Sequence, residues 1–261
     1  MFDDFVHFVQ DLYGTKEFIP LHAPKFNGNE KKYLLQTIDS TFVSSVGDFV
    51  NEFEQSVANF TGMKHAVAVV NGTSALHISL LLADVQKDTE VITQSLTFVA
   101  TCNAINYCGA KPVFIDVDKT TLGLAPENLK SFLEEYCESR DDGFCWNKLT
   151  NRRVSACLPM HTFGLPAQLD ELKKICDYYN IELVEDSAES LGSFYKGRHT
   201  GSYGDSSIIS FNGNKIITCG GGGIVLTNSA IIEKKVRHIT TTAKDTHSWI
   251  FSHSEIGYNY R

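Results

Sequence analysis

The fold is decided by a stretch that reads His65-Ala-Val-Ala-Val-Val70, then Asn71-Gly72-Thr73, then an apolar run to Leu82. The first six residues are almost all apolar and rich in valine, which predicts a strand buried on both faces. The Asn-Gly-Thr turn then opens a run with helical spacing. A strand, a tight turn and a helix in this order form the repeating unit of an α/β protein.

The same unit recurs along the chain. Further strands are predicted at residues 90–92, 112–115, 154–158, 181–184, 206–210 and 223–226. Helices are predicted at residues 98–107, 125–137 and 167–178, and Pro126 lies in the first turn of the second one, as helix starts prefer. This alternation predicts an α/β fold with a mixed, mostly parallel sheet flanked by helices. Ligands of such folds bind at the carboxyl ends of the strands.

Two segments differ from this pattern. Residues 1–13 have the spacing of a short amphipathic helix, which we expect to pack on the rest of the chain. Residues 137–153 are polar, with Asp141-Asp142-Gly143 at their centre, and predict a small surface hairpin.

Composition excludes several classes of protein. The 261 residues are 43% apolar and 21% charged with a net charge of −8, which is typical of a soluble globular protein. Clustered basic residues are missing, so nucleic acid is not an expected partner. Seven scattered cysteines without a CxxC pair, and histidines without metal-ligand spacing, favour reduced thiols and no metal. The sequence has no signal peptide and no apolar run of membrane-spanning length, so we predict a cytoplasmic protein without a membrane partner.

Residues that could take part in binding or catalysis follow three of the predicted strands. Asn71-Gly72-Thr73-Ser74 presents backbone N–H groups and hydroxyls that suit a phosphate, although the same residues are typical of an ordinary helix start. Asp186 is either a turn or cap residue, or an anion directed at a ligand. Lys215 lies among the apolar residues Phe211, Ile216 and Ile217, which predicts a partly buried stem and a nucleophilic amine.

Together these sites match the needs of pyridoxal 5′-phosphate. That cofactor requires a held phosphate, a carboxylate that keeps its ring nitrogen protonated, and a lysine for its aldehyde. The glycine run Gly220–Gly223 leads into a strand, so it does not form a dinucleotide-binding turn, and the sequence around Lys215 lacks the GxxxxGK[ST] phosphate loop.

Seven stretches in order carry a family resemblance: Asn71–Leu76, Leu96–Thr101, Pro112–Val117, Met160–Gly164, Glu185–Glu189, Ser210–Lys215 and Gly257–Arg261. With these stretches the sequence resembles the DegT/DnrJ/StrS sugar aminotransferases. The resemblance implies the fold of aspartate aminotransferase (fold type I), pyridoxal phosphate as cofactor, and transaminase activity.

The resemblance also implies residue roles. Lys215 would be the catalytic residue that binds the cofactor aldehyde, and Asp186 would face the ring nitrogen. The other cofactor-binding residues would be Gly72, Thr73 and Ser210 at the phosphate, Phe98 on the ring face, Glu189 near the phenolic oxygen, and Asn259 reaching the phosphate in the neighbouring subunit. A homodimer with shared active sites follows from the role of Asn259.

Within the family, the sequence is most similar to the perosamine, bacillosamine and legionaminic acid branch. The implied reaction moves an amino group from glutamate to C4 of a nucleotide-linked 4-keto-6-deoxy sugar, with UDP as the expected nucleotide, in the synthesis of surface polysaccharides such as lipopolysaccharide. Two alternatives remain open: a pyridoxamine-dependent sugar dehydratase, in which histidine replaces the lysine, and a non-catalytic or inactive fragment of the same fold.

The resemblance implies a domain division as well. Residues 1–20 would form an N-terminal helical extension and residues 21–261 the cofactor-binding large domain, with residues 137–153 as an inserted hairpin. A C-terminal small domain, expected beyond residue 261, would be absent from this chain. Of the remaining candidates, His161 either lines the cleft or is packed and hydrogen-bonded, and Cys219 is expected to be a small buried side chain.

Overall fold

The computed structural model of the chain describes residues 2–245, 249 and 251–261. The helices are α1 (Asp3–Tyr13), α2 (Glu30–Ser40), α3 (Asp48–Thr61), α4 (Gly72–Leu82), α5 (Val99–Tyr107), α6 (Pro126–Tyr136), α7 (Leu169–Tyr178) and α8 (Ala230–Thr240). The strands are β1 (His65–Val69), β2 (Glu90–Gln94), β3 (Lys111–Ile115), β4 (Cys137–Ser139), β5 (Cys145–Asn147), β6 (Arg152–Leu158), β7 (Glu182–Asp186), β8 (Phe194–Tyr195), β9 (Arg198–His199), β10 (Ser206–Ser210) and β11 (Gly223–Thr227).

The main sheet has the strand order β1-β11-β10-β7-β6-β2-β3. Strand β11 is antiparallel to both of its neighbours, whereas each pairing from β10 to β3 is parallel. Strand β1 therefore points in the same direction as β10. The predicted mixed, mostly parallel sheet is confirmed, and the carboxyl ends of β1, β10, β7, β6 and β2 lie at one edge.

Helices cover both faces of this sheet. One core cluster joins apolar residues of α4, α5 and α8 to β1, β2, β6, β7, β10 and β11. On the opposite face, α6 and α7 pack against β2, β6 and β7, and α3 packs against β10 and β11. Successive residues of β7 show why its sequence is a continuous apolar run: Leu183 belongs to one cluster and Val184 to the other.

The hairpin expected at residues 137–153 is present as β4 and β5. The two strands are antiparallel, and β5 also pairs with the start of β6, where Trp146 lies opposite Arg153. The hairpin therefore extends the main sheet at the amino-terminal end of β6, away from the edge at which ligands bind in such folds.

One expectation about the N-terminal segment is wrong. The predicted helix forms as α1, but none of its residues is buried, and Phe2, Phe5 and Phe8 expose more than half of their surface. Its apolar face is thus largely exposed instead of buried on the rest of the chain; Met1 lies outside the described residues. Within the described part of the chain, no helix is long and apolar enough to cross a membrane.

Candidate active site

Side chains that follow five strands of the main sheet meet at its carboxyl edge. They enclose a cavity of about 290 Å³, close to the lower end of the usual range for ligand sites, about 300–1,000 Å³. The lining residues are Asn71, Gly72, Thr73, Leu76, Phe98, Ala100, Met160, Asp186, Ala188, Glu189, Ile208, Ser210, Asn212, Asn214 and Lys215. This cavity is the candidate active site.

One end of the cavity is the start of helix α4. Asn71 caps this helix by accepting a hydrogen bond from the Ser74 N–H through its side-chain oxygen at 2.8 Å. The N–H groups of Gly72 and Thr73 belong to the first turn, which has no intrahelical acceptors, so they are available to an anion at the positive end of the helix dipole. The helix-start and anion-cradle interpretations of this turn are therefore compatible.

Glycine is required at position 72 because the start of helix α4 lies close to the end of strand β10. A Cβ at this position would lie 2.9 Å from the Cβ of Ser210, at the end of β10. Only glycine therefore lets α4 begin directly against the Ser210 hydroxyl. The result is a small polar pocket that fits a phosphate group.

The opposite wall holds Asp186, the last residue of β7, which is only 3% exposed. Its carboxylate accepts hydrogen bonds from the Thr101 hydroxyl at 2.8 Å and from the Ala188 N–H at 3.2 Å. Burial raises the pKa of the Asp186 carboxyl, an effect that the Thr101 hydrogen bond opposes. A carboxylate desolvated in this way gains more than an exposed one from a cationic N–H placed against it.

Lys215 follows β10, and its side chain is 12% exposed. Its ammonium forms an ion pair with Glu189, and the nitrogen lies 5.8 Å from the centre of the Phe98 ring. The expected partial burial is confirmed, but its expected cause is wrong in part. Ile216 and Ile217 are more than half exposed, so they do not enclose the lysine. The side chains that lie near its ammonium are Glu189 and Phe98.

The cavity brings together seven of the eight residues that sequence reasoning selected: Gly72, Thr73, Phe98, Asp186, Glu189, Ser210 and Lys215. The eighth, Asn259, is exposed and forms a backbone bridge with Thr241, outside the residues that line the cavity. Its expected contact with a neighbouring subunit stays a prediction.

Among the residues that sequence reasoning did not select, two contact selected residues of the site directly. Thr101 donates to Asp186, and the sulfur of Met160 accepts a hydrogen bond from the Phe98 N–H at 3.4 Å. A weak signal for Thr101 was present, because it lies in the first turn of α5, just after the predicted site residue Phe98. For Met160 the only signal in the sequence was its position shortly after a predicted strand.

His161 and Glu185 are buried behind the cavity wall. The Ala167 N–H donates to Nδ1 of His161, so the ring proton is on Nε2, which donates to Glu185 at 3.2 Å. The packed, hydrogen-bonded alternative for His161 is thereby confirmed. The expectation for Cys219 is wrong, because this cysteine is exposed. Among the described residues, no group of three or more potential ligands could hold a metal ion.

The residues present fit a phosphorylated pyridine. The pocket at Gly72 and Ser210 suits the phosphate, the buried carboxylate of Asp186 suits a ring N–H, and the amine of Lys215 suits an aldehyde. These groups come from the ends of different strands and share one cavity. Such a site on a sheet of this topology defines the class of enzymes with the aspartate aminotransferase fold.

Comparison with known proteins is consistent with this class. Over residues 24–261 the chain matches the DegT/DnrJ/EryC1/StrS aminotransferase family. The chain belongs to this family, whose members use pyridoxal phosphate.

Individual relatives cover nearly the whole chain. EpsN of Bacillus subtilis (strain 168) is 39% identical over 93% of this chain and 60% of its own length. A GDP-perosamine synthase of Caulobacter vibrioides is 37% identical over 93% of this chain and 61% of its own length. Among solved structures, DesI, crystallised in the presence of its TDP-sugar product, has 29% identity and a TM-score of 0.76, and the match covers 96% of this chain and 60% of that one. The chain thus spans about 60% of the length of the relatives that it matches.

Proposed function

We propose that this chain carries the cofactor site of a pyridoxal phosphate-dependent aminotransferase that moves an amino group from glutamate to C4 of a nucleotide-linked 4-keto-6-deoxy sugar. The observation that carries the proposal is the shared cavity of Lys215, Asp186 and the start of α4. Membership of the aminotransferase family supports it. In this proposal residues 21–261 form the cofactor-binding domain and residues 1–20 an extension, which the start of the family match at residue 24 supports.

The chain's own residues would hold the cofactor at three points. The first-turn N–H groups of α4, with the hydroxyls of Thr73 and Ser210, would bind the phosphate. Asp186 would accept the ring N–H and keep the proton on the nitrogen, while Phe98 would lie on the ring face. When bound, pyridoxal phosphate supplies an aldehyde that condenses with amines and a ring that withdraws electrons from a neighbouring C–H bond.

Lys215 would anchor the cofactor and then move protons. Its amine, released when the donor amine takes its place, can remove the proton from the donor Cα and later deliver one to the sugar carbon. Glu189, which pairs with Lys215, would orient the amine and accept a hydrogen bond from it. Because one nitrogen performs both tasks, its loss should stop turnover.

Loss of the amine in Lys215→Ala is expected to lower kcat by at least about a thousandfold, the scale typical of losing an essential acid–base group or nucleophile. Borohydride treatment of the loaded wild-type protein, followed by peptide mapping, should find the reduced cofactor on Lys215. Lys130→Ala is the matched control, because Lys130 lies on the exposed side of α6. Full turnover in Lys215→Ala, or a cofactor adduct on another lysine, contradicts the assignment.

The nucleotide and the amino donor are tested by direct assay. Sequence resemblance led to an expectation of UDP, whereas the name of the Caulobacter vibrioides relative specifies a GDP sugar. The assay therefore offers UDP- and GDP-linked 4-keto-6-deoxy sugars with glutamate and with alanine as donors. Binding of pyridoxal phosphate without transfer to any keto sugar would favour the non-catalytic alternative.

A further inference from the structure

A second, smaller hollow opens beside the candidate active site. This side recess has a volume of about 180 Å³ and is lined by Leu96, Thr97, Phe98, Met160, Thr162, Phe163 and Glu189. Three of these residues, Phe98, Met160 and Glu189, also line the main cavity. The two hollows are therefore neighbours that share a wall, and Glu189 joins that wall to Lys215.

The side recess offers an apolar surface. Its walls carry the side chains of Leu96, Phe98 and Phe163, and its hydroxyl groups already have partners inside the protein. The Thr97 hydroxyl donates to that of Thr101 at 3.0 Å. The Thr162 hydroxyl donates to the Leu122 carbonyl at 2.9 Å. The one charged side chain among the lining residues, Glu189, is paired with Lys215. A polar group that entered the recess would therefore lose water and find few free partners, whereas an apolar group would fit.

The loop at the rim presents an aromatic ring at the expense of backbone strain. Phe163 has a left-handed backbone, with φ of 53°, and the residue is 80% exposed. This conformation is unusual for a bulky residue, and strain of this kind concentrates at ligand sites. The neighbouring Gly164 is held close to Glu189, since a Cβ there would lie 2.8 Å from the Glu189 carbonyl oxygen. The loop thus keeps the exposed ring of Phe163 at the mouth of the recess.

The proposed reaction limits what can reach this recess. The sugar carbon that receives the amine must lie at Lys215, and the methyl group of a 6-deoxy sugar is two bonds away from that carbon. Glu189 both contacts Lys215 and lines the recess. A group two bonds from the reacting carbon can therefore reach the recess. The charged diphosphate of the nucleotide and the carboxylates of glutamate are poorly suited to an apolar hollow that borders Glu189.

We propose that the side recess binds the C5–C6 edge of the sugar, with the C6 methyl group against Leu96 and Phe163, and so selects 6-deoxy over 6-hydroxy sugars. This inference rests on the proposed function and adds a specificity site to it. A hydrophobic pocket rejects an added hydroxyl only moderately, so we expect a preference of about 10- to 100-fold.

The test measures binding of two product sugars by calorimetry. The chain, loaded with pyridoxal phosphate, is titrated with nucleotide-linked 4-amino-6-deoxy and 4-amino-6-hydroxy hexoses that are otherwise identical. The wild type should bind the 6-deoxy sugar about 10- to 100-fold more tightly. Leu96→Trp, which fills the recess, should weaken binding of the 6-deoxy sugar at least about tenfold, and Leu96→Ala, which enlarges it, should reduce the preference. Leu149→Trp on the distant hairpin is the matched control.

The outcomes separate this inference from the function on which it rests. Equal affinity of the wild type for the two sugars, or unchanged binding in Leu96→Trp, overturns the proposed role of the side recess. Either result leaves the aminotransferase proposal unaffected. Failure to bind either sugar, together with no conversion of the bound cofactor by glutamate in its absorbance spectrum, overturns both. If the recess binds the sugar as proposed, Leu96→Trp should raise KM for the keto sugar more than it lowers kcat in turnover assays.

Discussion

At the scale of single residues, the site depends on a carboxylate that is costly to bury. Asp186 is almost fully enclosed, and its charge is stabilised by one side-chain donor and one backbone donor. Since burial raises the pKa of this carboxyl, each donor matters for keeping it ionised. Under the proposed function, Thr101 would therefore be a positioning residue that acts on the cofactor through Asp186.

Replacement of Thr101 by valine removes this donor at almost constant shape. We expect Thr101→Val to raise the pKa of Asp186 further, because the ionised form loses a hydrogen bond. Cofactor binding needs the ionised form, so the acidic limb of the pH profile of the pyridoxal phosphate Kd should shift to higher pH. At neutral pH we expect affinity to weaken by about tenfold, equivalent to one hydrogen bond to a charged group.

The measurement is fluorescence titration of the cofactor across pH. Thr101→Ser retains the hydroxyl and should restore the wild-type profile, which a purely structural role of the threonine methyl group would not predict. A profile that is the same in the wild type and Thr101→Val contradicts the positioning role.

At the scale of elements, the end of β7 organises the layer behind the cavity. Glu185 points away from Asp186 and is fully buried. It accepts hydrogen bonds from Nε2 of His161 and from the N–H groups of Gly201, Tyr203 and Gly204. One carboxylate thus connects β7 to the loop after β9 and to the loop after β6. This loop after β6 also carries Met160 and Phe163.

Glu185→Gln is expected to destabilise the fold by about 2–4 kcal/mol, because its amide group would face donors that now meet a carboxylate oxygen. Burial opposes ionisation of Glu185, but the hydrogen bond from His161 and those from Gly204 and Gly201 outweigh it, so its pKa is lowered. The stabilisation is therefore complete above the pKa of the unfolded state and is lost as pH falls through the folded pKa. Acidification below about pH 5 should cost the wild type more stability than Glu185→Gln.

Urea unfolding at a series of pH values measures this effect. Glu52→Gln, on the exposed side of α3, is the matched control and should unfold as the wild type does at every pH. Parallel pH dependence of the wild type and Glu185→Gln would show that Glu185 does not provide the stabilisation.

At the scale of the whole molecule, the described N-terminal residues expose much apolar surface. Helices α1 and α2 bury none of their residues, and Leu34, Leu35 and Ile38 of α2 are each at least 60% exposed. Exposed apolar side chains in such number often mark an interface. This exposed surface supports the prediction of a homodimer, in which Asn259 would reach the active site of the neighbouring subunit.

Mixing two defective variants tests shared sites directly. If each site combines Lys215 of one subunit with Asn259 of the other, Lys215→Ala and Asn259→Ala are each impaired, and subunit exchange restores one working site in every mixed dimer. Random exchange should recover about a quarter of wild-type turnover. Light scattering should give a dimer mass for each sample. Dimers that exchange subunits without any recovery of turnover would place Asn259 outside the shared site.

The order of the main-sheet strands and of the helices that connect them could be predicted from the sequence, with most boundaries within two residues. Buried strands and amphipathic helices carry local signals, and the strand that ends at Asp186 and the turn at Gly72 are examples. Helices α2, α3 and α8 and the short strands β8 and β9 were not predicted. Part of the site followed as well: parallel strands place their carboxyl ends at one edge, so residues just after those strands had to be neighbours.

The sequence by itself thus determined the α/β fold and the three strand-end groups, Thr73, Asp186 and Lys215, because their placement depends on local pattern and on strand direction. The tertiary structure alone decided the contact of Glu189 with Lys215, the hydrogen bond from Thr101 to Asp186, and the apolar side recess at Phe163. These features join segments that are far apart in the chain. Their distances depend on how α5 and the strand-end loops pack on the sheet, and no local pattern encodes them.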